Sequence, residues 1–445
     1  MVTEMLRFGT DGVRGRAGVD VVASDIAQLG AAVAREWPGA AIVIGHDGRE
    51  SGETWLAAFA GGAMSQGSTV TNAGLVPTPA LAHAAKRSGC VAVAITASHN
   101  LWHDNGVKVF APGGRKLTDD EQHRIETSWQ AGHPVQDKGV PPRSIAPTVA
   151  NSSTVANDYV DARSLGLHIA GFAGHELIVD CANGATSGVV APVMTALQVR
   201  AEIRNAAPNG RNINDGCGAT YPETLAAACA QRGVIGIAFD GDGDRLIAVD
   251  EHGQVVDGDR LIALAAIDLR DRSLLAHNTV VVTSMTNLGF HRAMRRNDIS
   301  VVTTDVGDRA VLAAMDDGNF VLGGEQSGHV IHALHATTGD GLLSAVLLLD
   351  LVRRSGQSLA ALAGDVMQRL PQVLRNVRVS RKPDDIELLL ADDLARERAL
   401  LGNDGRIVVR ASGTEPVIRI MVEAETLALA EAVTTRLERV VLTRA

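Results

Sequence analysis

Three aspartates at alternate positions form the most specific chemical pattern in the chain. They lie in the segment Asp240-Gly-Asp242-Gly-Asp244-Arg245, where the glycines let the backbone fold the carboxylates around one centre. Carboxylates grouped in this way suit a hard divalent cation. A three-carboxylate set leaves coordination positions open, which favours Mg²⁺ shared with a phosphate oxygen. The pattern alone also admits an acidic, solvated turn.

An EF-hand calcium loop is excluded at this segment. Asp240, Asp242 and Asp244 match its first, third and fifth positions, and Glu251 matches its twelfth. The sixth position needs glycine with positive φ, and here it is Arg245. The flanking segments GIAFD and RLIAVD have the pattern of strands rather than helices.

Ser98 offers a hydroxyl at the end of the apolar run VAVAIT (91–96). Most serines at strand–loop junctions only cap a helix or bond to a turn. Adjacent residues rarely present their side chains to each other, and no GxSxG elbow is present, so His99 does not make a Ser–His dyad from sequence. Lys108, in DNGVK, offers a positive partner for a phosphate, although exposed lysines usually have no such role.

Two further loops carry groups suited to a phosphorylated, hydroxyl-rich ligand. Arg410-Ala-Ser412-Gly413-Thr414-Glu-Pro, followed by Arg419, offers cations, hydroxyls and exposed backbone N–H groups, as a phosphate cradle requires. Gly-Gly-Glu325-Gln-Ser327-Gly-His329 offers a carboxylate, an amide and a hydroxyl, with His329 as an acid/base or a plain loop residue. Read together, these are parts for phosphoryl transfer.

The elements that must position these loops alternate between strand and helix patterns. Buried strands are predicted where short apolar runs occur, and the intervening Ala- and Leu-rich stretches (24–37 and 222–233 among them) predict helices. The predicted strands are 41–45, 91–96, 176–180, 235–240, 245–250, 279–284 and 300–305. Three of these strands (91–96, 176–180 and 235–240) and the apolar run FVLG (320–323) end in a Gly/Asp/Ser/Asn loop, and ligands bind beyond the carboxyl ends of strands in such sheets. We therefore expect several α/β domains whose loops share one cleft.

The last part of the chain has a different pattern, β-α-β-β-α, which predicts a small α+β domain. Segments 131–148, 253–260 and 369–376 are candidate domain boundaries. At 445 residues the chain is too long for one core, and two to four domains are expected.

Charge and cysteine usage narrow the possible partners. The net charge of −10 argues against nucleic acid or an anionic membrane. The four cysteines are scattered without a CxxC pair, which indicates reduced thiols, and neither a signal peptide nor a membrane span is apparent. We expect a soluble cytoplasmic protein that binds neither nucleic acid nor membrane.

Five ordered motifs resemble those of the α-D-phosphohexomutases: FGTDGVRG (8–15), TASHN (96–100), DGDGDR (240–245), GGEQSGH (323–329) and RASGTEP (410–416). CANGA (181–185), NINDGCGATYPE (212–223), VGDR (306–309) and PQVLRNVRV (371–379) resemble the branch that acts on glucosamine phosphates. The resemblance implies three related α/β/α mixed-sheet domains and a C-terminal TATA-binding-protein-like domain around a central cleft. We place them at 1–152, 153–257, 258–369 and 370–445.

The resemblance also implies a reaction. Ser98 would carry a phosphoryl group, donate it to glucosamine 6-phosphate and recover it from the bisphosphate intermediate, leaving glucosamine 1-phosphate for UDP-N-acetylglucosamine synthesis. The implied cofactors are Mg²⁺ and a hexose or hexosamine 1,6-bisphosphate activator; the partner is a phosphosugar, and a homodimer is compatible with it.

The same resemblance assigns roles to individual residues. Mg²⁺ would be held by the Ser98 phosphate and the three aspartates, Asp240, Asp242 and Asp244. Arg14, His99 and Lys108 would lie near the transferred group, and Glu325 and Ser327 would bind sugar hydroxyls with His329 nearby. The second phosphate would be held by Arg410, Ser412, Gly413, Thr414 and Arg419.

Two segments depart from the family pattern. The proline usual after Ser-His-Asn is Leu101, which predicts a looser or reshaped loop because proline would pre-set φ. The usual Gly-Arg-Asp-Thr-Arg is Gly45-His46-Asp47-Gly48-Arg49. A glucose or mannose phosphate mutase, a specialised amino-sugar paralogue and a non-catalytic sugar-phosphate-binding protein remain the alternatives.

Overall fold

The computed structural model describes residues 7–9, 12–131, 152–167, 169, 171–380, 383, 385–411 and 416–444. These residues divide into two compact units, one formed by residues up to 284 with 299–363, the other by 285–298 with 364 to the end. Apart from residue 131, the predicted boundary at 131–148 lies outside the described residues.

The first α/β layer system of the larger unit supplies the serine loop. Its elements are β1 (Val13–Arg16), α1 (Ala23–Glu36), β2 (Ile42–His46), α2 (Gly52–Ser65), β3 (Val70–Leu75), α3 (Thr78–Ser88), β4 (Val91–Ile95), β5 (Asp104–Ala111), β6 (Arg115–Lys116) and α4 (Asp119–Gln130). The sheet runs β1-β5-β4-β2-β3, with β6 paired to β5. Strands β2, β3 and β4 are parallel, whereas β5 is antiparallel to both β1 and β4, so the sheet is mixed.

Local sequence signals explain why these elements begin and end where they do. Helix α4 begins with a capping box, in which Thr118 Oγ1 accepts from the Glu121 amide and the Glu121 carboxylate accepts from the Thr118 amide. Every residue of β4 is buried, which is why it reads as a continuous apolar run rather than an alternating one. The strand ends at Ile95, and the serine loop follows with its first residues, Thr96, Ala97 and Ser98, still buried.

The second layer system supplies the aspartate loop. Its elements are α5 (Ser152–Arg163), β7 (Glu176–Asp180), α6 (Val190–Ala196), β8 (Arg200–Arg204), α7 (Glu223–Arg232), β9 (Ile235–Phe239), β10 (Leu246–Val249) and β11 (Val255–Val256), with short 3₁₀ turns at Leu165–Leu167 and Ala185–Gly188. The sheet order is β11-β10-β9-β7-β8. Because β9 and β10 are antiparallel neighbours, the segment between them is a tight connection at one end of the sheet.

The third layer system supplies the Glu325–His329 loop. Its elements are α8 (Gly258–Asp271), a 3₁₀ turn (Ala276–Asn278), β12 (Thr279–Thr283), β13 (Ser300–Thr304), α10 (Asp308–Gly318), β14 (Leu322–Gly324), β15 (Val330–His332), α11 (Gly341–Ser355) and α12 (Leu359–Val366). Helix α9 (Leu288–Arg296), between β12 and β13 in the sequence, belongs to the smaller unit. The sheet order is β13-β12-β14-β15, and the candidate sugar loop joins the antiparallel pair β14 and β15.

The smaller unit contains α9 and a three-stranded antiparallel sheet in the order β16-β18-β17. Its remaining elements are β16 (Gln372–Arg378), α13 (Ile386–Leu389), α14 (Ala391–Leu401), β17 (Arg406–Ala411), β18 (Val417–Glu423) and α15 (Leu427–Arg444). Glu423 is fully buried and accepts from the Asn287 side chain and the Leu288 amide, which fixes the start of α9 against this sheet.

The predicted fold class is confirmed: mixed α/β sheets are followed by a C-terminal β-α-β-β-α domain, with the predicted helix there divided into α13 and α14. Each predicted strand is present within one or two residues of its expected ends. None of the described helices has the length and hydropathy needed to cross a bilayer.

Candidate active site

Ser98 lies directly beyond β4 and is fully buried. Its φ of +52° is in the left-handed region, which serine adopts only when its surroundings hold it there. The Oγ donates a 2.6 Å hydrogen bond to Asp240 Oδ2, and the backbone N–H donates a 2.8 Å bond to Thr96 Oγ1. The serine hydroxyl therefore points directly at the aspartate loop.

The three aspartates lie in the connection between β9 and β10. All three are buried, and one carboxylate oxygen from each lies within 4.8 Å of the others. Gly241 is required between them, because a Cβ at this position would lie 2.7 Å from the Ser98 carbonyl oxygen. The strand flanks confirm that this segment is not an EF-hand.

Lys108 reaches the aspartates from β5. Its Nζ lies 2.7 Å from Asp244 Oδ2 and 2.9 Å from Asp242 Oδ2, and Thr78 Oγ1 donates a 2.6 Å bond to Asp242 Oδ2. The Oδ1 atoms of Asp242 and Asp244 are buried and accept no hydrogen bond in the described part of the chain. Buried carboxylate oxygens need a partner. This set of hard oxygen donors therefore fits a divalent cation such as Mg²⁺.

Asp240 and Asp244 differ in how readily they ionise. Burial, reinforced by Asp242 and Asp244, raises the pKa of Asp240 well above its ordinary value. Burial also opposes ionisation of Asp244, but Lys108 and His329 hold the pKa of Asp244 well below its usual range. The neighbouring cations thus favour the ionised form of Asp244.

His99 is held as a neutral imidazole beside the serine. Burial, with the positive charges of Arg245 and Arg14, lowers the pKa of His99 to about 4. Its Nδ1 lies 3.3 Å from Ser98 Oγ, so the expectation that adjacent side chains would not meet is wrong here. The left-handed backbone at Ser98 turns the two side chains towards each other. The serine proton nevertheless has the shorter contact with Asp240.

The Glu325–His329 loop joins the site through His329. Its Nδ1 lies 3.6 Å from Asp244 Oδ2; burial would lower the pKa of His329, but Asp244 and Asp308 raise it above the ordinary value. Glu325 is half-buried and accepts a 3.2 Å bond from the Gly307 amide, and Ser327 is exposed. A half-buried carboxylate and an exposed hydroxyl are groups that can bind sugar hydroxyls.

Backbone contacts bring the predicted loops together within the larger unit. The Ala185 amide donates to the Gly241 carbonyl, and the Leu246 amide donates to the Gly328 carbonyl. Gly328 has φ of +91°, and a Cβ there would meet the Leu246 carbonyl oxygen at 2.1 Å, so only glycine fits. Together with the Ser98–Asp240 bond, these contacts place the four strand-end loops around one site.

Arg410 and Arg419 lie in the smaller unit, directly opposite each other on β17 and β18. Burial and the charge of Arg419 lower the pKa of Arg410. The Arg419 Nε is buried without a hydrogen-bond partner among the described residues. Two facing guanidinium groups form a ready site for an anion. The other predicted members of this cradle, Ser412, Gly413 and Thr414, lie outside the described residues.

Sequence reasoning missed two residues that hold the serine loop. Arg49 and Asn214 are buried, and both donate to the carbonyl oxygens of Ser98 and Asn100. Arg49 lies in the segment GHDGR, and Asn214 lies in NINDGCG. No local pattern indicates that their side chains bind backbone 49 to 116 residues away.

Family models match most of the chain. The model described as phosphoglucomutase/phosphomannomutase, alpha/beta/alpha domain I, matches residues 5–135; domain III of the same family matches 257–370, and its C-terminal domain matches 374–440. The matched ranges include the serine loop, the Glu325–His329 loop and the facing arginines.

Similar full-length relatives carry one name. Phosphoglucosamine mutase from Frankia casuarinae is 44% identical, covering 98% of this chain and 98% of the relative. The protein of that name from Clavibacter michiganensis subsp. michiganensis is 45% identical, with 95% of each chain covered. The one from Listeria welshimeri is 41% identical, with 94% of each covered.

Solved structures share the fold. A phosphoglucomutase/phosphomannomutase family protein from Burkholderia thailandensis superimposes with a TM-score of 0.80 at 24% identity, covering 98% of this chain and 96% of that one. An N-acetylphosphoglucosamine mutase from Aspergillus fumigatus, solved with GlcNAc-6P and magnesium, gives 0.69 at 19% identity, covering 100% and 96%.

Proposed function

The chain belongs to the phosphoglucomutase/phosphomannomutase family of α-D-phosphohexomutases, and on this premise we propose that it is a phosphoglucosamine mutase. It interconverts glucosamine 6-phosphate and glucosamine 1-phosphate through a phosphoserine enzyme and a bisphosphorylated sugar. The product supplies UDP-N-acetylglucosamine synthesis and hence cell-wall precursors. The 41–45% identity to phosphoglucosamine mutases over nearly the whole chain supports the choice of sugar.

The observation that carries the proposal is the 2.6 Å contact between Ser98 Oγ and Asp240, made inside a buried cluster of three carboxylates and a lysine. In the forward reaction the bond from phosphorus to Ser98 Oγ breaks, and a bond forms to the anomeric oxygen of glucosamine 6-phosphate. The intermediate then turns over, and its 6-phosphoryl group returns to Ser98. Ser98 Oγ is therefore the leaving group in the first transfer, where the sugar hydroxyl attacks, and the nucleophile in the second, and the same charged residues serve both.

We assign Mg²⁺ to Asp240, Asp242, Asp244 and the Ser98 phosphate. When bound, the ion withdraws charge from the phosphoryl oxygens and favours in-line transfer. The buried Oδ1 atoms of Asp242 and Asp244, which accept no hydrogen bond from any described residue, support this assignment, as does the magnesium complex of the Aspergillus fumigatus protein. A hexose or hexosamine 1,6-bisphosphate is the expected activator, because it can phosphorylate a bare Ser98.

We assign roles to the remaining site residues from their positions and charges. Lys108 and Arg14 supply positive charge where negative charge develops on the transferred group. His99, neutral at the serine, can hydrogen-bond to it without adding charge, whereas His329 is protonated more readily and is suited to proton transfer. Each of these groups lies in the larger unit with Ser98.

Substrate recognition is divided between two loops. We assign the sugar hydroxyls to Glu325 and Ser327, and the non-transferred phosphate to Arg410 and Arg419 together with Ser412, Gly413 and Thr414. The facing arginines of β17 and β18 support the second assignment, since an anion between them removes their mutual repulsion. The substrate is a small phosphosugar, for which we propose a cytoplasmic enzyme that needs neither nucleic acid nor membrane.

A coupled assay that compares glucosamine, glucose and mannose phosphates tests the proposal. The assay contains Mg²⁺ and a trace of hexose 1,6-bisphosphate, and we expect the highest kcat/KM with glucosamine phosphate. Chelation by EDTA should abolish turnover and added Mg²⁺ should restore it. A preference for glucose or mannose would reassign the sugar, and no turnover of any sugar would leave a sugar-phosphate-binding protein. Size-exclusion chromatography with light scattering tests for a homodimer.

A further inference from the structure

We propose that Arg49 and Asn214 are positioning residues that together hold the serine loop, and that this carbonyl clamp keeps Ser98 in its left-handed backbone conformation. Neither residue touches the reacting atoms. Both act through the backbone of residues 98–104, from two different layer systems of the larger unit. The expected effect of the clamp on kcat rests on the proposed mutase function.

Arg49 binds the loop from the side of its own sheet. It is buried, and its Nη2 donates 2.9 Å bonds to the carbonyl oxygens of Ser98 and Asn100. Its Nη1 donates to the carbonyl oxygens of Leu101, at 2.5 Å, and Asp104, at 2.9 Å. One planar guanidinium group therefore fixes four carbonyl oxygens, which no other side chain has enough donors to do.

A closed ring of hydrogen bonds orients this guanidinium group. Arg49 Nε donates to Asp47 Oδ2 at 2.8 Å, and the same oxygen accepts from Thr96 Oγ1 at 2.6 Å. Thr96 Oγ1 in turn accepts from the Ser98 amide at 2.8 Å, and the Ser98 carbonyl accepts from Arg49. Both backbone polar groups of Ser98 thus take part in one buried network, which is how a conformation with φ of +52° is held.

Asn214 binds the same carbonyl oxygens from the second layer system. Its Nδ2 donates 2.9 Å bonds to Ser98 and Asn100, the two oxygens that Arg49 Nη2 also contacts. Its own backbone is held by a 3.0 Å bond from its amide to the Ala182 carbonyl. Since Asn214 lies between β8 and α7 of the second layer system and Ser98 follows β4 of the first, the amide sets the serine loop relative to the aspartates.

The clamp also explains how the loop tolerates Leu101 where the family usually has proline. Proline stiffens a chain by fixing φ, whereas here the carbonyl oxygens of residues 98, 100, 101 and 104 are fixed by hydrogen bonds. Leu101 itself is 39% exposed and is free to vary. These hydrogen bonds can hold the loop where the proline is missing.

The variant Asn214→Gly tests the clamp. Asn214 has φ of +58°, so glycine removes the amide without straining the backbone. We expect kcat to fall by about 10- to 100-fold with KM within about 2-fold, because phosphoryl transfer depends on alignment of the serine oxygen. The matched control is Asn319→Gly, since Asn319 has φ of +51° at the end of α10, and its kinetics should equal wild type.

Hydrogen–deuterium exchange measures the protection of the serine loop and does not require an active enzyme. In Asn214→Gly the peptide that spans residues 97–104 should exchange faster than in wild type, while the peptides of β4 and β9 remain protected. If wild type fails to turn over any sugar phosphate, the proposed function fails and the exchange experiment still decides the clamp. Unchanged exchange, or an unchanged kcat in an active enzyme, overturns the inference.

Arg49→Lys is a second variant that guards against misfolding. Lysine keeps the charge beside Asp47 but lacks the planar fork that reaches four carbonyl oxygens. We again expect a lower kcat with little change in KM, and faster exchange at residues 97–104. A variant with wild-type kcat and exchange would show that the fork is dispensable, contrary to the inference. A loss that falls mainly on KM would also contradict it.

Discussion

At the level of single residues, Lys108 is a buried cation that contacts the carboxylate cluster. It is 1% exposed, and its Nζ contacts two of the three buried carboxylates. A buried ion pair that loses one partner leaves an uncompensated charge, which costs about 3–5 kcal/mol. The same ammonium group lies where charge develops on the transferred phosphoryl group. Stability and catalysis therefore depend on the same side chain.

The substitution Lys108→Met tests both roles. We expect kcat to fall by about 10²- to 10³-fold. In chelator, the free energy of unfolding should fall by about 3 kcal/mol. Added Mg²⁺ should raise the melting temperature of the variant more than that of wild type, because the cation replaces the lost charge. Lys86→Met, at an exposed position near the end of α3, is the control. A Lys108→Met enzyme with near wild-type kcat would contradict the assigned role.

At the scale of elements, the start of α4 carries a titratable cap. Arg115 Nη2 donates a 2.5 Å bond to Glu121 Oε1, and the Thr118 amide donates to Glu121 Oε2. The Arg115 hydrogen bond, opposed by burial and assisted by Thr118, lowers the pKa of Glu121 to about 2 from an ordinary value of 4.5. The ionised form is thus favoured by folding, and its contribution to stability is present above the unfolded pKa.

Glu121→Gln should therefore destabilise the protein in a pH-dependent manner. Because the arginine side chain is 48% exposed, we expect a loss of only about 1 kcal/mol at pH 7. The difference from wild type should shrink as pH falls from about 4.5 towards 2, where wild-type Glu121 also becomes neutral. Urea unfolding at several pH values measures it, with Asp120→Asn, in the same helix turn, as the control. A difference that grows on acidification would contradict this assignment.

In the strand pair β17–β18, one substitution is expected to improve stability and to weaken substrate binding. Arg410 and Arg419 face each other across the pair, and like charges directly opposite are destabilising. Arg419→Gln should raise the free energy of unfolding in phosphate-free buffer by about 0.5 kcal/mol. The same change should raise KM for the sugar phosphate by about 10-fold, since a charge-assisted contact is lost.

Thermal unfolding and steady-state kinetics test the two effects separately. Arg378→Gln on β16 is the control, because Arg378 is exposed and pairs with Val417 rather than with an arginine. An Arg419→Gln variant that is less stable and keeps its KM would mean that the facing arginines hold the fold rather than an anion.

The strands themselves could be predicted from the sequence for a physical reason. Runs such as 91–95 and 235–239 are buried on both faces, so they must be apolar throughout. Elements with weaker patterns were missed, including β1 and the three-residue strand β15. Short strands bury too few side chains to leave a periodic signal.

At the scale of the whole molecule, motif order located the serine and the aspartates, but local patterns could not supply their geometry. Ser98 and Asp240 are 142 residues apart, and their 2.6 Å contact depends on the packing of two sheets. Arg49 and Asn214 carry no chemical motif of their own, because donors to carbonyl oxygens leave no sequence signature. The left-handed φ of Ser98 follows from these same contacts and was equally hidden.

The central claim is that Ser98 carries the phosphoryl group, and peptide mass spectrometry after incubation with glucose 1,6-bisphosphate and Mg²⁺ tests it most directly. We predict one phosphoryl group on the peptide that contains Ser98, removed by excess glucosamine 6-phosphate, with neither the modification nor turnover in Ser98→Ala. Phosphorylation at another residue, together with full activity in Ser98→Ala, would contradict the account.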